Sequence, residues 1–162
     1  MALGLICMAL TWFNDDALHT RFWTNFLHNS MFFTGIGFAA LFLMCMGILT
    51  YASWFVVFKR IWEAYSLFMV VGLGLMLIIV AGVWGHFHHL YHWADIEEVA
   101  KDVILKGKSS FLNPTWYSLG TIIVLGSWIY FAIRMRALSI EQDTNGGIND
   151  LTQYNKMKVA SA

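Results

Sequence analysis

The feature that most constrains this chain is an apolar run, Ala64 to Gly85, with 22 residues and no charged side chain. About 20 apolar residues in a helix are enough to cross a bilayer. Only a helix satisfies its own backbone hydrogen bonds in lipid over such a length. The run leads directly into four histidines, His86, His88, His89 and His92. The sequence therefore predicts an integral membrane protein whose titratable side chains gather at one end of a membrane helix.

The composition agrees with a membrane protein and excludes nucleic acid as a partner. The chain is 59% hydrophobic and 12% charged, whereas a soluble domain carries about 25% charged residues. Ten basic residues balance ten acidic ones, so no net positive field attracts a polyanion. The two cysteines form no CxxC, haem-attachment or iron–sulfur pattern. We therefore expect the chain to bind no cofactor of its own, apart from a candidate quinol or quinone.

The apolar segments predict an all-α integral membrane protein with a four-helix transmembrane bundle. The four spans are expected at about residues 1–13, 31–58, 64–90 and 116–136. A short amphipathic surface helix is expected between the third and fourth spans, where Asp95 and Glu98 have capping-box spacing and Gly107 suits a C-cap. Residues 137–162 are interpreted as a polar connector to a further helix, which suggests that the chain is part of a longer protein.

The basic residues predict the orientation of the spans. The connections on one side carry Lys59, Arg60, Arg134, Arg136, Lys156 and Lys158, and those on the other carry Arg21, Lys101, Lys106 and Lys108. Basic residues at span ends favour the cytoplasm. The sequence thus predicts a multi-pass protein of a bacterial inner membrane. Its histidine-rich loops are periplasmic, and its Lys59–Arg60 loop and its tail are cytoplasmic.

The titratable residues near the predicted span ends are candidates for proton transfer or quinone binding. Imidazole titrates near neutral pH, and a carboxylate that faces the bundle interior can carry a proton. The first candidates are His28, His92, Asp95 and Glu63, and the second are His86, His88, His89 and Tyr91. A haem or metal site in the histidine cluster and simple solvation of a helix end are the alternatives. The spacing is weak evidence for zinc, so no metal ligand is assigned.

Four segments carry a resemblance to a known family. They are Trp23–Phe38, Val56–Ala64, His89–Trp93 and Lys108–Asn113. In this order they resemble the ActF membrane subunit of alternative complex III, in the NrfD/polysulfide-reductase family of membrane anchors. Members of that family often have proline beside the glutamate that corresponds to Glu63, where this chain has Trp62.

The resemblance implies the N-terminal part of an NrfD-like fold and a place in a respiratory complex. Such a complex oxidises quinol and passes electrons towards cytochrome c or a terminal oxidase. The implied partners are an NrfD-like sister subunit, iron–sulfur and c-type haem subunits, and membrane lipid. The subunit itself would carry no redox cofactor, would scaffold the membrane arm, and would contribute to quinone binding or to a proton path. A purely structural assembly subunit is the remaining alternative.

Overall fold

The computed structural model describes residues 2–144 and 151–162, with only the backbone described for Ala2, Leu5, Ile96, Glu97 and Glu98. The described chain is helical and contains no strand. The helices are α1 (Ala2–Phe13), α2 (Thr20–Leu49), α3 (Phe55–Ser66), α4 (Phe68–Trp84), α5 (Ile96–Lys101), α6 (Val103–Lys108), α7 (Pro114–Thr144) and α8 (Thr152–Ser161). A short 3-10 turn covers His92–Ala94.

Among the described residues, three helical segments are long and apolar enough to cross a membrane, not the four that the sequence predicted. They are Thr20–Leu49, Phe55–Trp84 and Pro114–Thr144, with 30, 30 and 31 residues. The second of these combines α3 and α4, which are separated only by Leu67. The first predicted span is α1, whose 12 residues rise only about 18 Å at 1.5 Å per residue. This helix is therefore too short to cross the hydrocarbon by itself.

The ends of α2 and α4 explain why the predicted second and third spans are too long. At both ends the chain turns through a residue with positive φ, Tyr51 (53°) and His86 (53°). In each case the next backbone N–H reaches the carbonyl five residues back: Ala52 to Gly47 at 3.1 Å and Phe87 to Gly82 at 3.0 Å. This is the Schellman helix stop, which usually has glycine at the left-handed position. Because tyrosine and histidine occupy that position instead of glycine, the sequence carries no glycine signal for these two helix ends.

The beginnings of the long helices also differ from the prediction. Helix α2 begins at Thr20, so the polar residues between there and residue 31 are helical, although the sequence pattern placed them in a loop. The Asp15 carboxylate accepts hydrogen bonds from the backbone N–H of Phe22 at 2.7 Å and of Arg21 at 3.3 Å. Helix α7 begins at Pro114, and the Asn113 side chain accepts from the Trp116 N–H at 2.8 Å. Proline at the first helical position and asparagine at the N-cap are both favoured there.

The segment around Lys59 and Arg60 was predicted to be a loop and is part of α3. Its charged residues favoured the interpretation as a connection between two spans. In the structure, Arg60 and Glu63 are three residues apart on α3 and share one helical face. The actual connection is 50–54, and it is short and weakly polar.

The expected surface helix is present as two six-residue helices, α5 and α6. The Asp102 side chain caps α6 by accepting from the Ile104 N–H at 2.8 Å, and Gly107 lies inside α6 rather than at its C-cap. The predicted Glu98 cap falls on a side chain outside the described set. Helix α7 continues to Thr144, so residues 137–144 of the predicted connector are helical; residues 145–150 are not described. Within the remaining described tail, Thr152–Ser161 form α8.

The chain divides into two compact units. The first contains the described residues of Met1–Met31 and Gly74–Ile122, and the second those of Phe32–Leu73 and Ile123–Ala162. Helices α2, α4 and α7 each supply residues to both units. The second unit has a methionine-rich core built from α2, α3, α4, α7 and α8, including Met44, Met69, Met135 and Met157. Methionine suits such irregular contacts between helices because its side chain is flexible and polarizable.

Small residues allow close helix packing in the second unit. A Cβ at Gly37 would lie 3.0 Å from the Met69 Cγ, and a Cβ at Gly72 would collide with the Thr34 side chain. The absence of a side chain at these two positions therefore lets neighbouring helices approach closely. A Cβ at Gly35 or Gly74 would meet no other group of the described chain within 4 Å.

Candidate functional sites

Glu63 is the most deeply buried acidic side chain among those described, with 2% of its surface exposed. It lies on α3, and its Oε2 accepts a hydrogen bond from Arg60 Nη1 at 2.6 Å. Its second oxygen, Oε1, is buried and has no hydrogen-bond partner among the described residues. A buried carboxylate normally satisfies both oxygens. An unused acceptor on a charged group in a membrane helix is therefore a candidate functional feature.

Further polar groups of the second unit surround this ion pair. Arg60 also pairs with Asp143 on α7 and donates to the backbone carbonyl of Ser139 at 3.5 Å. The Ser66 hydroxyl donates to the Glu63 carbonyl at 2.9 Å. The Ser139 hydroxyl is fully buried and, like Glu63 Oε1, has no described partner. The cluster therefore combines one arginine, paired with the two carboxylates of Glu63 and Asp143, with two unsatisfied oxygens.

A cavity of about 430 Å³ opens beside this cluster. Lys59 and Arg60 line it together with Tyr51, Gln142 and Asp143. Lys59 donates to the Gln142 side chain at 3.4 Å. The charged and polar side chains at this edge of an otherwise largely apolar cavity could bind water, so it is a candidate route by which protons reach the Arg60–Glu63 pair.

His88 is the histidine of the cluster that the first unit buries, with 5% of its surface exposed. Its Nε2 lies 3.1 Å from the carbonyl oxygen of Ile79 on α4, so Nε2 carries the proton and donates. Its Nδ1 is buried and has no hydrogen-bond partner among the described residues. The ring lies against Trp23, with centroids 4.9 Å apart. The indole Nε1 of Trp23 is also buried and unpartnered among the described residues.

The sharp turn at the end of α4 brings His88 back onto that helix. A Cβ at Gly82 would lie 2.5 Å from the His88 Cδ2 and 2.6 Å from its Nε2. Only glycine leaves room for the ring at this distance. Together, His86 in the left-handed conformation and Gly82 without a side chain therefore position His88.

The other predicted histidines are not assembled into one site. His28 lies on α2 and is exposed, and His86 and His92 are exposed as well. Helix α4 ends at Trp84 and does not continue through the cluster, so His88, His89 and His92 do not share one helical face. Among the described residues no group of three His, Cys, Asp or Glu side chains is arranged to hold a metal ion.

Asp95 contacts the histidine segment through His89. The His89 Nδ1 lies 3.4 Å from the Asp95 Oδ2, and both side chains are partly exposed, 48% and 33%. This contact forms an ion pair only when the imidazole is protonated. It is a surface interaction, and such pairs contribute little to stability.

Tyr91 belongs to a separate aromatic site in the first unit. Its hydroxyl lies 3.0 Å from that of Tyr117 on α7, and its ring stacks on Trp93 with centroids 5.1 Å apart. A cavity of about 310 Å³ lies beside them and is also lined by Trp116 and Thr121. An aromatic cavity with two adjacent hydroxyls is suited to a planar ring that carries oxygen atoms.

Several residues of these sites were not found from the sequence. The spacing of Arg60 and Glu63 is a signal that was available, because residues three apart on a helix are neighbours. Ser139, Asp143 and Tyr117 meet their partners across more than 20 residues of chain. No local pattern marks such residues.

Among the described residues, two groups outside the long apolar helices have shifted pKa values. Partial desolvation raises the pKa of Asp15, but the backbone N–H groups of Phe22, Asp16 and Arg21 outweigh it and lower the pKa below the ordinary 3.8. The hydrogen bond to the Tyr51 hydroxyl raises the pKa of Lys158 above the ordinary 10.5. Both groups therefore keep their charge over a wider pH range than free side chains do.

Comparison of the sequence with protein-family models finds no match, and comparison with curated proteins finds none either.

Proposed function

We propose that this chain is a membrane-arm subunit of a quinol-oxidising respiratory complex, in which it scaffolds the arm and Glu63 exchanges protons. The place in such a complex comes from the resemblance of the four sequence segments. The proton-exchanging role has its main support in one observation: Glu63 is 2% exposed on an apolar helix and keeps one carboxylate oxygen free of any described partner. Ionisable groups in membrane helices are costly, and they commonly mark proton or ion paths.

The scaffolding role is supported by the surface of α7. In the most apolar 18-residue stretch of this helix, 11% is buried within the chain. The corresponding buried shares are 39% for Thr20–Leu49 and 44% for Phe55–Trp84. Its exposed apolar side chains, among them Ile123 and Ile133, need lipid or further helices to cover them. Partner helices of a larger membrane arm would supply that cover.

We propose the orientation that the basic residues predict, with the histidine segment periplasmic and the Lys59–Arg60 side cytoplasmic in a bacterial inner membrane. It does not depend on α1, because the three long helices by themselves place the connection after α4 and the tail after α7 on opposite sides. A single cysteine introduced at Lys106 should react with an impermeant thiol reagent from the periplasm, and one at Lys156 should not. Equal labelling at both positions would contradict this topology.

Turnover of the assembled complex tests the role of Glu63. Replacing Glu63 with Gln should lower quinol oxidation about tenfold or more, since a positioned proton-transfer group contributes at least that much. Glu141 is an exposed acid of the same unit, and the matched change Glu141→Gln should leave turnover unchanged. Glu63→Asp keeps a carboxylate and should recover part of the activity. Wild-type turnover in an assembled Glu63→Gln complex would refute the proposal.

The aromatic cavity supports a second candidate function, binding of a quinone ring. Its support is the pair of hydroxyls on Tyr91 and Tyr117 beside a cavity of about 310 Å³. Removing the Tyr117 hydroxyl with Phe should weaken binding of a soluble quinone analogue about fivefold, the value of one hydrogen bond. Tyr130, whose hydroxyl accepts from Arg134, provides the control Tyr130→Phe. Equal binding by both variants would exclude the cavity as the site.

A further inference from the structure

A positively charged cleft lies between α7 and α8 in the second unit. Its volume is about 600 Å³, and its lining includes Arg134, Lys156, Thr152, Asn155, Phe131 and Val159. We propose that this cleft binds the phosphate headgroup of an anionic membrane lipid. The site is independent of the function proposed above, because it shares no residue with the Arg60–Glu63 cluster or with the aromatic cavity.

The charge of the cleft favours an anion. Arg134 and Lys156 are both in its lining, and none of the described lining residues is acidic. The Arg134 guanidinium donates to the Tyr130 hydroxyl at 2.8 Å, which fixes its position and leaves further N–H donors. A guanidinium presents two parallel donors to a phosphate. The cavity beside Arg60 differs, since Arg60 is paired there with Asp143 and Glu63.

The remaining lining separates into a polar and an apolar part. Thr152 and Asn155 lie in the first turn of α8 and offer a hydroxyl and an amide for headgroup oxygens. Phe131 and Val159 are 41% and 79% exposed and offer apolar surface for an acyl chain. A free phosphate ion would use only the polar part. A phospholipid uses both, and basic pockets at the ends of membrane helices commonly bind such headgroups.

Helix α8 is held firmly enough to form one wall of the cleft. Met157 is 1% exposed in the core, and the Tyr154 hydroxyl donates to the Ile48 carbonyl at 3.0 Å. Lys158 donates to the Tyr51 hydroxyl. These contacts use one side of α8, so that Asn155, Lys156 and Val159 remain exposed on the other. The cleft is therefore available before any lipid binds.

Lipid titration of the purified full chain in detergent tests the proposal. Native mass spectrometry should count one tightly bound phosphatidylglycerol on the wild-type protein and no comparable phosphatidylcholine. Each basic side chain near a lipid headgroup is worth about fivefold in affinity, so Arg134→Gln with Lys156→Gln should weaken binding about 25-fold. Arg134→Lys keeps the charge and should lose less than Arg134→Gln.

Two controls separate lipid binding in the cleft from general charge attraction and from binding of free phosphate. Lys106 and Lys108 on α6 are exposed, and replacing both with Gln removes the same charge elsewhere and should leave binding unchanged. Inorganic phosphate at millimolar concentration should not displace the lipid. Equal retention of phosphatidylcholine, unchanged affinity in the folded double variant, or full displacement by phosphate would each overturn the proposal.

Discussion

The histidine segment after α4 and the charged segment of α3, residues 59–63, both stand out in the sequence as clusters of titratable side chains. In the structure, however, these two clusters differ in burial and in their contacts. Of the histidines after α4, only His88 is buried; His86, His89 and His92 are exposed. Around α3, by contrast, a single acid is 2% exposed and is held by an arginine that also contacts α7. A dense run of imidazoles therefore does not make a site by itself. Packing against segments that are distant in the sequence determines which titratable side chain is buried.

The largest effect should come from separating the Arg60–Glu63 pair. Arg60→Ala leaves a buried carboxylate without its cation, which costs about 3 kcal/mol of unfolding free energy. In Glu63→Leu the charge that remains is that of Arg60, which is half-exposed and still paired with Asp143. This substitution should therefore lower the unfolding free energy by about 1 kcal/mol. The combined variant should be more stable than Arg60→Ala alone. Chemical unfolding in detergent measures all three.

Lys59 provides the control for that cycle. It lies beside Arg60 on the same helix and donates a 3.4 Å hydrogen bond to Gln142, a neutral side chain. Lys59→Ala should cost about 0.5 kcal/mol. If Lys59→Ala and Arg60→Ala lower the unfolding free energy equally, the Arg60–Glu63 pair contributes no more to stability than Lys59 does.

The buried histidine is probed through the glycine that makes room for it. In Gly82→Ala the new methyl group would collide with the His88 ring and break its hydrogen bond to Ile79. The expected loss is about 2 kcal/mol. Gly74→Ala on the same helix meets nothing within 4 Å among the described residues and should gain about 0.5 kcal/mol. Equal effects of the two substitutions on the thermal midpoint would show that His88 does not depend on Gly82.

The exposed part of the histidine segment should respond in the opposite direction. His86 holds a left-handed conformation, φ 53°, which costs a residue with a side chain about 1 kcal/mol. His86→Gly removes this strain but adds entropy to the unfolded chain, so its net stabilisation should be about 0.5 kcal/mol. His89 has no positive φ, and His89→Gly should destabilise slightly through the entropy of the unfolded chain. Destabilisation by His86→Gly would mean that the imidazole makes contacts that outweigh its strain.

The smallest effect concerns the acid at the start of α2. Backbone N–H groups lower the pKa of Asp15 in the folded chain despite an opposing effect of desolvation. Its stabilisation is therefore complete above the unfolded pKa and is lost as the pH falls through the folded pKa. As the pH drops below about 4, the thermal midpoint of the wild type should decrease. The thermal midpoint of Asp15→Asn should decrease less. Asp16→Asn removes the same charge and should follow the wild type.

The sequence predicted the apolar helices well and the sites only in part. Long uncharged runs require helices in lipid, so three of the four predicted spans correspond to long apolar helices, whereas the first, at residues 1–13, is too short to cross a membrane. The stops at Tyr51 and His86 were missed because they lack glycine, and this error extended the third span into the histidines. Glu63 was recognised as a candidate, but it was placed in a loop because Lys59 and Arg60 resemble a connection. Ser139 and Asp143 could not be found, since only the packing of α7 beside α3 gives them their neighbour.

Redox-induced infrared difference spectroscopy of the assembled complex tests most directly whether Glu63 exchanges protons. If it does, oxidation of quinol will produce a carboxyl band that is absent in Glu63→Gln. The same band will persist when His86, His89 and His92 are replaced by Gln. An unchanged band in Glu63→Gln, or its loss only in the histidine variant, would contradict the assignment of proton exchange to the buried carboxylate.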